Sequence, residues 1–141
     1  MKILLDSNIV LDVILEREPF HESASDVMGL SQGGIGLFVS ASAITDIYYI
    51  VRKAKGSKEA AITLIKDLME NVDFAAVTGN EIRHAISLDW GDFEDAVQYA
   101  AGESIAVDYI VTRNKTDFST ATLPVVCPDE LMALLVLPES E

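Results

Sequence analysis

Met1-Lys2-Ile3-Leu4-Leu5-Asp6-Ser7-Asn8-Ile9-Val10-Leu11-Asp12 is the stretch that decides the fold. Ile3, Leu4 and Leu5 are consecutive and apolar, the pattern of a strand buried on both faces of a parallel sheet. The run stops at Asp6, and Ser7 or Asn8 can cap the helix that begins with Ile9. A strand leading straight into a helix places Asp6 in the crevice beyond the strand ends, where open α/β sheets bind ligands. Nothing in the packing of such a strand asks for a charge there. Asp6 is therefore read as a ligand for a divalent metal, with later acids completing the cage.

The 141 residues are 50% hydrophobic, enough for one domain with its own core. A net charge of -13 excludes wholesale wrapping of nucleic acid, but leaves room for a local basic patch or a metal-mediated phosphate site. The single cysteine, Cys127, excludes an internal disulfide and a cysteine-based zinc site, and suits a reducing cytoplasm. No apolar run approaches the ~20 residues that span a bilayer, and the run after Lys2 is too short for a signal-peptide core. A soluble cytoplasmic protein without membrane association is expected.

Outward from the opening stretch, helical and strand patterns alternate. Helices are expected over Asn8–Glu16, His21–Leu30, Ala43–Ala54, Lys58–Glu70, Gly79–Leu88, Phe93–Glu103 and Asp129–Leu135. Strands are expected over Leu37–Ser40, Phe74–Thr78, Tyr109–Thr112 and Val125–Cys127, with Arg113–Thr122 as loop. Ser40 or Ser42 is the candidate cap of the third helix, and Asp92 that of the sixth. This alternation predicts an α/β fold, a three-layer α/β/α sandwich around a central, mainly parallel sheet. It is a single domain over residues 1–137, followed by a short acidic tail at 138–141.

Three later places bring polar groups to the same sheet edge. Asp46 lies in the first turns of an apolar helix, where helix-dipole compensation explains it as well as metal binding does. Asp95 begins a helix that heads into the core, while its neighbours Asp92 and Glu94 read as an N-cap and a solvent-facing acid. Thr112, Asn114 and Asp117 follow a buried strand, and Arg113 and Lys115 among them can meet a phosphate. Four acids, Asp6, Asp46, Asp95 and Asp117, thus fall near strand ends or helix starts. Oxygen ligands without nearby histidine or cysteine suit Mg²⁺ or Mn²⁺. Clustered carboxylates need such a cation, because each raises the pKa of the next.

Leu4-Leu5-Asp6-Ser7-Asn8, Phe93-Glu94-Asp95-Ala96-Val97-Gln98 and Ile110-Val111-Thr112-Arg113-Asn114-Lys115-Thr116-Asp117-Phe118 resemble, in order and spacing, the successive motifs of PIN domains. These form the metal-dependent ribonuclease fold of VapC-type toxins, and the resemblance runs from Ile3 to about Val126. It implies an Mg²⁺- or Mn²⁺-dependent endoribonuclease that hydrolyses RNA with a metal-activated water and leaves a 5′-phosphate. It makes Asp6 and Asp95 the principal ligands and puts Asp46 at a position more often held by glutamate, whose longer reach a water would replace. Asp117 becomes the fourth acid, with Asn114 as the alternative. Ser7 and Asn8 are the supporting pair after the first acid, and Thr112 the hydroxyl that orients the site. The partners implied are an RNA substrate and a cognate antitoxin, in a toxin–antitoxin pair.

His21 and His84 sit in helices away from these motifs and take ordinary roles, Cys127 reads as a buried hydrophobe, and Trp90 as a packing anchor. Arg52, Lys53, Lys55 and Lys58 form the one dense basic run; with Arg113 and Lys115 it is the candidate RNA-backbone contact. Ile47-Tyr48-Tyr49-Ile50-Val51 is apolar over more than one helix face, which suits a homodimer or antitoxin contact. Two other readings compete with the nuclease. One is a catalytically weak or inactive PIN-like scaffold, motivated by the acidic surface and by Asp46. The other is a receiver-like phosphoryl-transfer domain, which fits poorly because Asp6 follows the first strand.

Overall fold

The computed structural model describes residues 1–136; the acidic tail expected at 138–141 lies outside them. Strand β1 is Lys2–Leu5, β2 Gly36–Ser40, β3 Asp73–Ala75, β4 Tyr109–Val111 and β5 Val125–Val126. They form one sheet in the order β3-β2-β1-β4-β5, and all neighbours are parallel. The helices are α1 (Ser7–Ile14), α2 (His21–Met28), α3 (Ile44–Lys55), α4 (Lys58–Leu68), α5 (Gly79–Leu88), α6 (Phe93–Ser104) and α7 (Pro128–Val136). The expected three-layer α/β/α sandwich is the one observed.

The side-chain alternation of β1 assigns the layers. Ile3 and Leu5 point to one face and pack with Ile9 and Val10 of α1, Val27 of α2 and Ile47 of α3. Leu4 points to the other and packs with Tyr99 and Ala101 of α6. So α1–α4 and α7 cover one face, and α5 with α6 cover the other. Trp90 is the anchor expected, its ring 4.9 Å from that of Tyr99 and 5.7 Å from that of Phe118. On α3, Ile47 and Val51 are buried while Tyr49 and Ile50 are exposed, so the helix is apolar beyond its core-facing stripe.

The layer carrying α6 comes unusually close to the sheet at Gly102. A Cβ built there would lie 3.1 Å from Leu4 Cδ2 and 3.3 Å from Val107 Cγ2. A branched side chain has no room, so Gly102→Val is expected to lower unfolding free energy by about 1–3 kcal/mol in a denaturant melt.

Four local expectations are corrected. The cap position of α1 is Asp6, not Ser7 or Asn8, and it makes no side-chain cap bond because its carboxylate is engaged elsewhere. The third strand stops at Ala75, since Thr78 belongs to the next helix. Its hydroxyl accepts from Asn80 N–H at 3.2 Å, and Glu81 Oε1 accepts from Thr78 N–H at 2.7 Å, a capping box that opens α5. Between β2 and α3, Ser40 caps a 3₁₀ turn, Ala41–Ala43, and α3 proper starts at Ile44. Cys127 is only half-buried. Asp92 caps α6 as expected, accepting from Asp95 N–H at 3.0 Å.

Candidate metal centre

The strand order turns at β1: β2 and β3 lie to one side of it, β4 and β5 to the other. A ligand crevice is expected just beyond the carboxyl ends of β1 and β4. Asp6 and Thr112 are the first residues past those ends, and Asp6 N–H donates to Val111 carbonyl at 2.9 Å to hold them side by side. Both are buried.

Thr112 fixes the Asp6 carboxylate. Its Oγ1 accepts from Asn114 N–H at 3.0 Å and from Asn8 Nδ2 at 3.4 Å, which leaves its own proton for Asp6 Oδ2 at 2.7 Å. Ser7 Oγ donates more weakly to Asp6 Oδ1, at 3.4 Å. Burial raises the Asp6 pKa, and hydrogen bonds from Thr112, Ser7 and the Gln98 amide oppose that rise.

Asp95 comes from the opposite layer, in the first turn of α6, and is 9% exposed. Burial, then the charges of Asp6, Asp92, Asp117 and Glu94, push its pKa up to about 7. Burial also raises the pKa of Glu94, followed by the neighbouring charges of Asp46, Asp92 and Asp6. Those electrostatic couplings gather Asp6, Asp46, Asp95 and Asp117 in one neighbourhood, with two acids buried at the floor and Asp46 and Asp117 exposed at the rim. Glu94 is exposed, as expected, and stands beside Asp46 at this rim. Asp92 and Asp117 also line a cleft of about 530 Å³ together with Trp90, Thr116 and Ser119.

The nearby cations are engaged elsewhere. Arg113 donates from Nε to Asp12 Oδ2 at 2.7 Å and from a terminal nitrogen to Asp12 Oδ1 at 3.2 Å, with its guanidinium 3.9 Å above the Phe20 ring. Lys115 Nζ pairs with Glu130 at 2.9 Å. Arg52 and Lys53 are exposed in the last turns of α3, about two turns along the helix from Asp46. His21 faces Glu16, and His84 Nε2 lies 2.6 Å from Glu103 Oε1, both apart from the acids. Asn114 is exposed and reaches the site through its backbone N–H.

Among the described residues, none of Asp6, Asp46, Asp92, Glu94, Asp95 or Asp117 forms an ion pair. Nor, among them, do three acidic, histidine or cysteine side chains already surround one point as a finished cage. Carboxylates this near to one another raise each other's pKa, as Asp95 shows. An all-oxygen donor set, two buried acids and two buried amide oxygens without partners among the described residues, Asn8 Oδ1 and Gln98 Oε1, fit a hydrated hard cation such as Mg²⁺ or Mn²⁺. Gln98 escaped the sequence reading, although its signal was there: one amide in the apolar run Ala96-Val97-Gln98-Tyr99-Ala100, three residues after Asp95.

Among the described residues no helix is long and apolar enough to cross a membrane. No curated protein sequence matches the chain. Among solved structures, the chain is similar to VapBC2 of Rickettsia felis bound to a promoter DNA fragment, at 16% identity and a TM-score of 0.71, covering 89% of this chain and 97% of that one. It is similar to VapC20 of Mycobacterium tuberculosis, a sarcin-ricin loop cleaving toxin, at 15% identity and a TM-score of 0.67, covering 86% and 95%. VapBC-1 of nontypeable Haemophilus influenzae gives 17% identity and a TM-score of 0.69 over 92% and 99%. At such identities the likeness speaks for the fold. The sequence itself matches the family model described as PIN domain over residues 2–116, which takes in β1, β4 and all the acids of the crevice except Asp117. The chain belongs to the PIN domain family.

Proposed function

We propose that this protein is an Mg²⁺- or Mn²⁺-dependent endoribonuclease, the toxin of a toxin–antitoxin pair, acting in the cytoplasm as a homodimer held in check by a protein antitoxin. The observation that carries the reading is the acid cluster at the turn of the sheet, left without any basic partner among the described residues. Asp6 and Asp95 would hold the ion, with Asp46, Asp117 and Glu94 reaching it from the rim directly or through water. When bound, the ion would supply a water of lowered pKa and neutralise charge growing on the phosphodiester. The chain's own part is to hold the donors. Thr112 opposes the burial-driven rise of the Asp6 pKa and aims its carboxylate, Asn8 and Asn114 keep Thr112 turned, and Asp95 would give up its proton on binding the ion. Arg52 and Lys53, free of carboxylate partners among the described residues, suit contact with the RNA backbone. Arg113 and Lys115 join them only by leaving Asp12 and Glu130. The exposed Tyr49 and Ile50 support a protein contact, and the solved VapBC structures motivate the antitoxin.

Asp6→Asn should abolish Mn²⁺-dependent cleavage with the fold intact, a loss larger than the ~10–100-fold that follows removal of a group which merely orients a ligand. The assay is cleavage of structured RNAs with Mn²⁺, against an EDTA control, with circular dichroism on both proteins. Undiminished cleavage by Asp6→Asn would sink the assignment.

The absence of a finished three-acid cage among the described residues favours one second reading, a PIN scaffold that binds RNA or protein without cutting. Titration with Mn²⁺ separates the two: the scaffold takes up no ion at millimolar concentration yet keeps its partner.

A further inference from the structure

Gln98 is 1% exposed, one turn after Asp95 on the same side of α6. Its Nε2 donates to Asp95 Oδ1 at 3.4 Å, and the same amide lies near enough to Asp6 to oppose the rise in its pKa. A side-chain amide carries two N–H protons, one for each carboxylate. The opposite orientation would aim Oε1 at two acids and be repelled, so the pair of carboxylates sets which way the amide faces. That arrangement leaves Oε1 buried without a donor among the described residues. Folded proteins rarely keep such an acceptor, and an apolar residue of similar size would fill the space without it. The position therefore asks for a role that packing does not supply.

We propose that Gln98 is a positioning residue that spans the Asp6 and Asp95 carboxylates through one amide group, holding them at a spacing that would suit a single hydrated divalent cation and leaving Oε1 open to a donor that the hydrated ion would supply. The inference rests on the crevice being a metal centre, and it adds a group that is no ligand itself. Its logic is that of any outer partner of a metal ligand: the ligands are useful only while something keeps them ionised and aimed. Here one side chain serves two ligands from opposite layers of the sandwich, a task neither Thr112 nor Ser7 performs, since both touch Asp6 alone.

The test uses Gln98→Met, which keeps the bulk and deletes the amide, with Mn²⁺ titrated calorimetrically into the intact protein. Mn²⁺ affinity is expected to fall by about 10–100-fold, while melting in EDTA occurs at or above the native temperature because an unpaired buried acceptor is gone. A residue that only packs would give the reverse, a lower melt in EDTA with unchanged Mn²⁺ affinity, and that result overturns the proposal. Failure of the native protein to take up Mn²⁺ overturns the metal centre as well, so the two failures are told apart. Should Gln98→Met not fold, the native protein decides by NMR. The Gln98 side-chain amide resonances are expected to move with added Mg²⁺ along the same curve as the calorimetric binding, and stationary resonances refute the role.

Discussion

Asp12→Ala will lower unfolding free energy by about 3 kcal/mol, the lower end of what removing one partner of a buried ion pair costs. Asp12 is fully buried in α1 and binds two arginines, Arg17 at 2.9 Å and Arg113 at 2.7 Å. Its loss strands two positive charges, but their side chains are 37% and 25% exposed and turn partly to water, which keeps the cost from the top of the range. The consequence reaches the crevice. Arg113 directly follows Thr112 and precedes Asn114 and Asp117, so the loop that carries them is fastened to α1 through Asp12 and through the face of Phe20. Denaturant unfolding measures the stability. The combination Asp12→Leu with Arg113→Met should recover much of it, since an apolar replacement of the whole pair leaves no unpaired charge.

Mn²⁺ affinity will weaken by about 100-fold between pH 8 and pH 5, because an ion that needs Asp95 ionised competes with one proton below the carboxyl's pKa. The pKa that sets this window is about 7, raised by burial and by the surrounding carboxylates. The same shift has the opposite sign for the ion-free fold. A carboxyl whose folded pKa lies above its ordinary value of 3.8 stabilises the fold fully below that value, and the contribution is lost as pH climbs through about 7. Asp6 and Glu94 are displaced in the same direction and add to the trend. Melting in EDTA should therefore fall from pH 5.5 to pH 8, whereas melting in Mn²⁺ should rise. Parallel pH profiles in the two buffers would show that no cation meets Asp95.

Much of this architecture was legible because it rests on periodicity. Ile3-Leu4-Leu5 reads as a doubly buried strand, and it is the centre of the sheet; the alternation that followed was enough for a parallel three-layer fold. What failed locally were places where a side chain serves two elements. Thr78 looks like the end of a β-branched run, but a hydroxyl and a glutamate three residues on make it a helix start. Asp6 looks like a residue that leaves capping to its neighbours, yet it takes the cap position while Thr112, more than a hundred residues away, claims its carboxylate. In the crevice, a list of acids came from strand ends and helix starts, whereas Asp12 and Gln98 needed three dimensions. Asp12 showed only as a polar residue in an apolar helix, and no local pattern tells a buried ion pair from an exposed face. Arg113 and Lys115 read as phosphate contacts because their carboxylate partners lie far away in sequence or across a turn.

The floor of the crevice is shared between opposite layers of the sandwich, since Asp6 leads into α1 and Asp95 opens α6. Whatever bridges those two carboxylates is thereby a staple at the sheet's edge, adding to the hydrogen bonds that Tyr99 Oη of α6 accepts from Thr122 N–H at 2.8 Å and Leu123 N–H at 3.2 Å. An ion held there would couple its own uptake to the cohesion of the two layers, because it would bind the folded arrangement of both donors and not the unfolded chain.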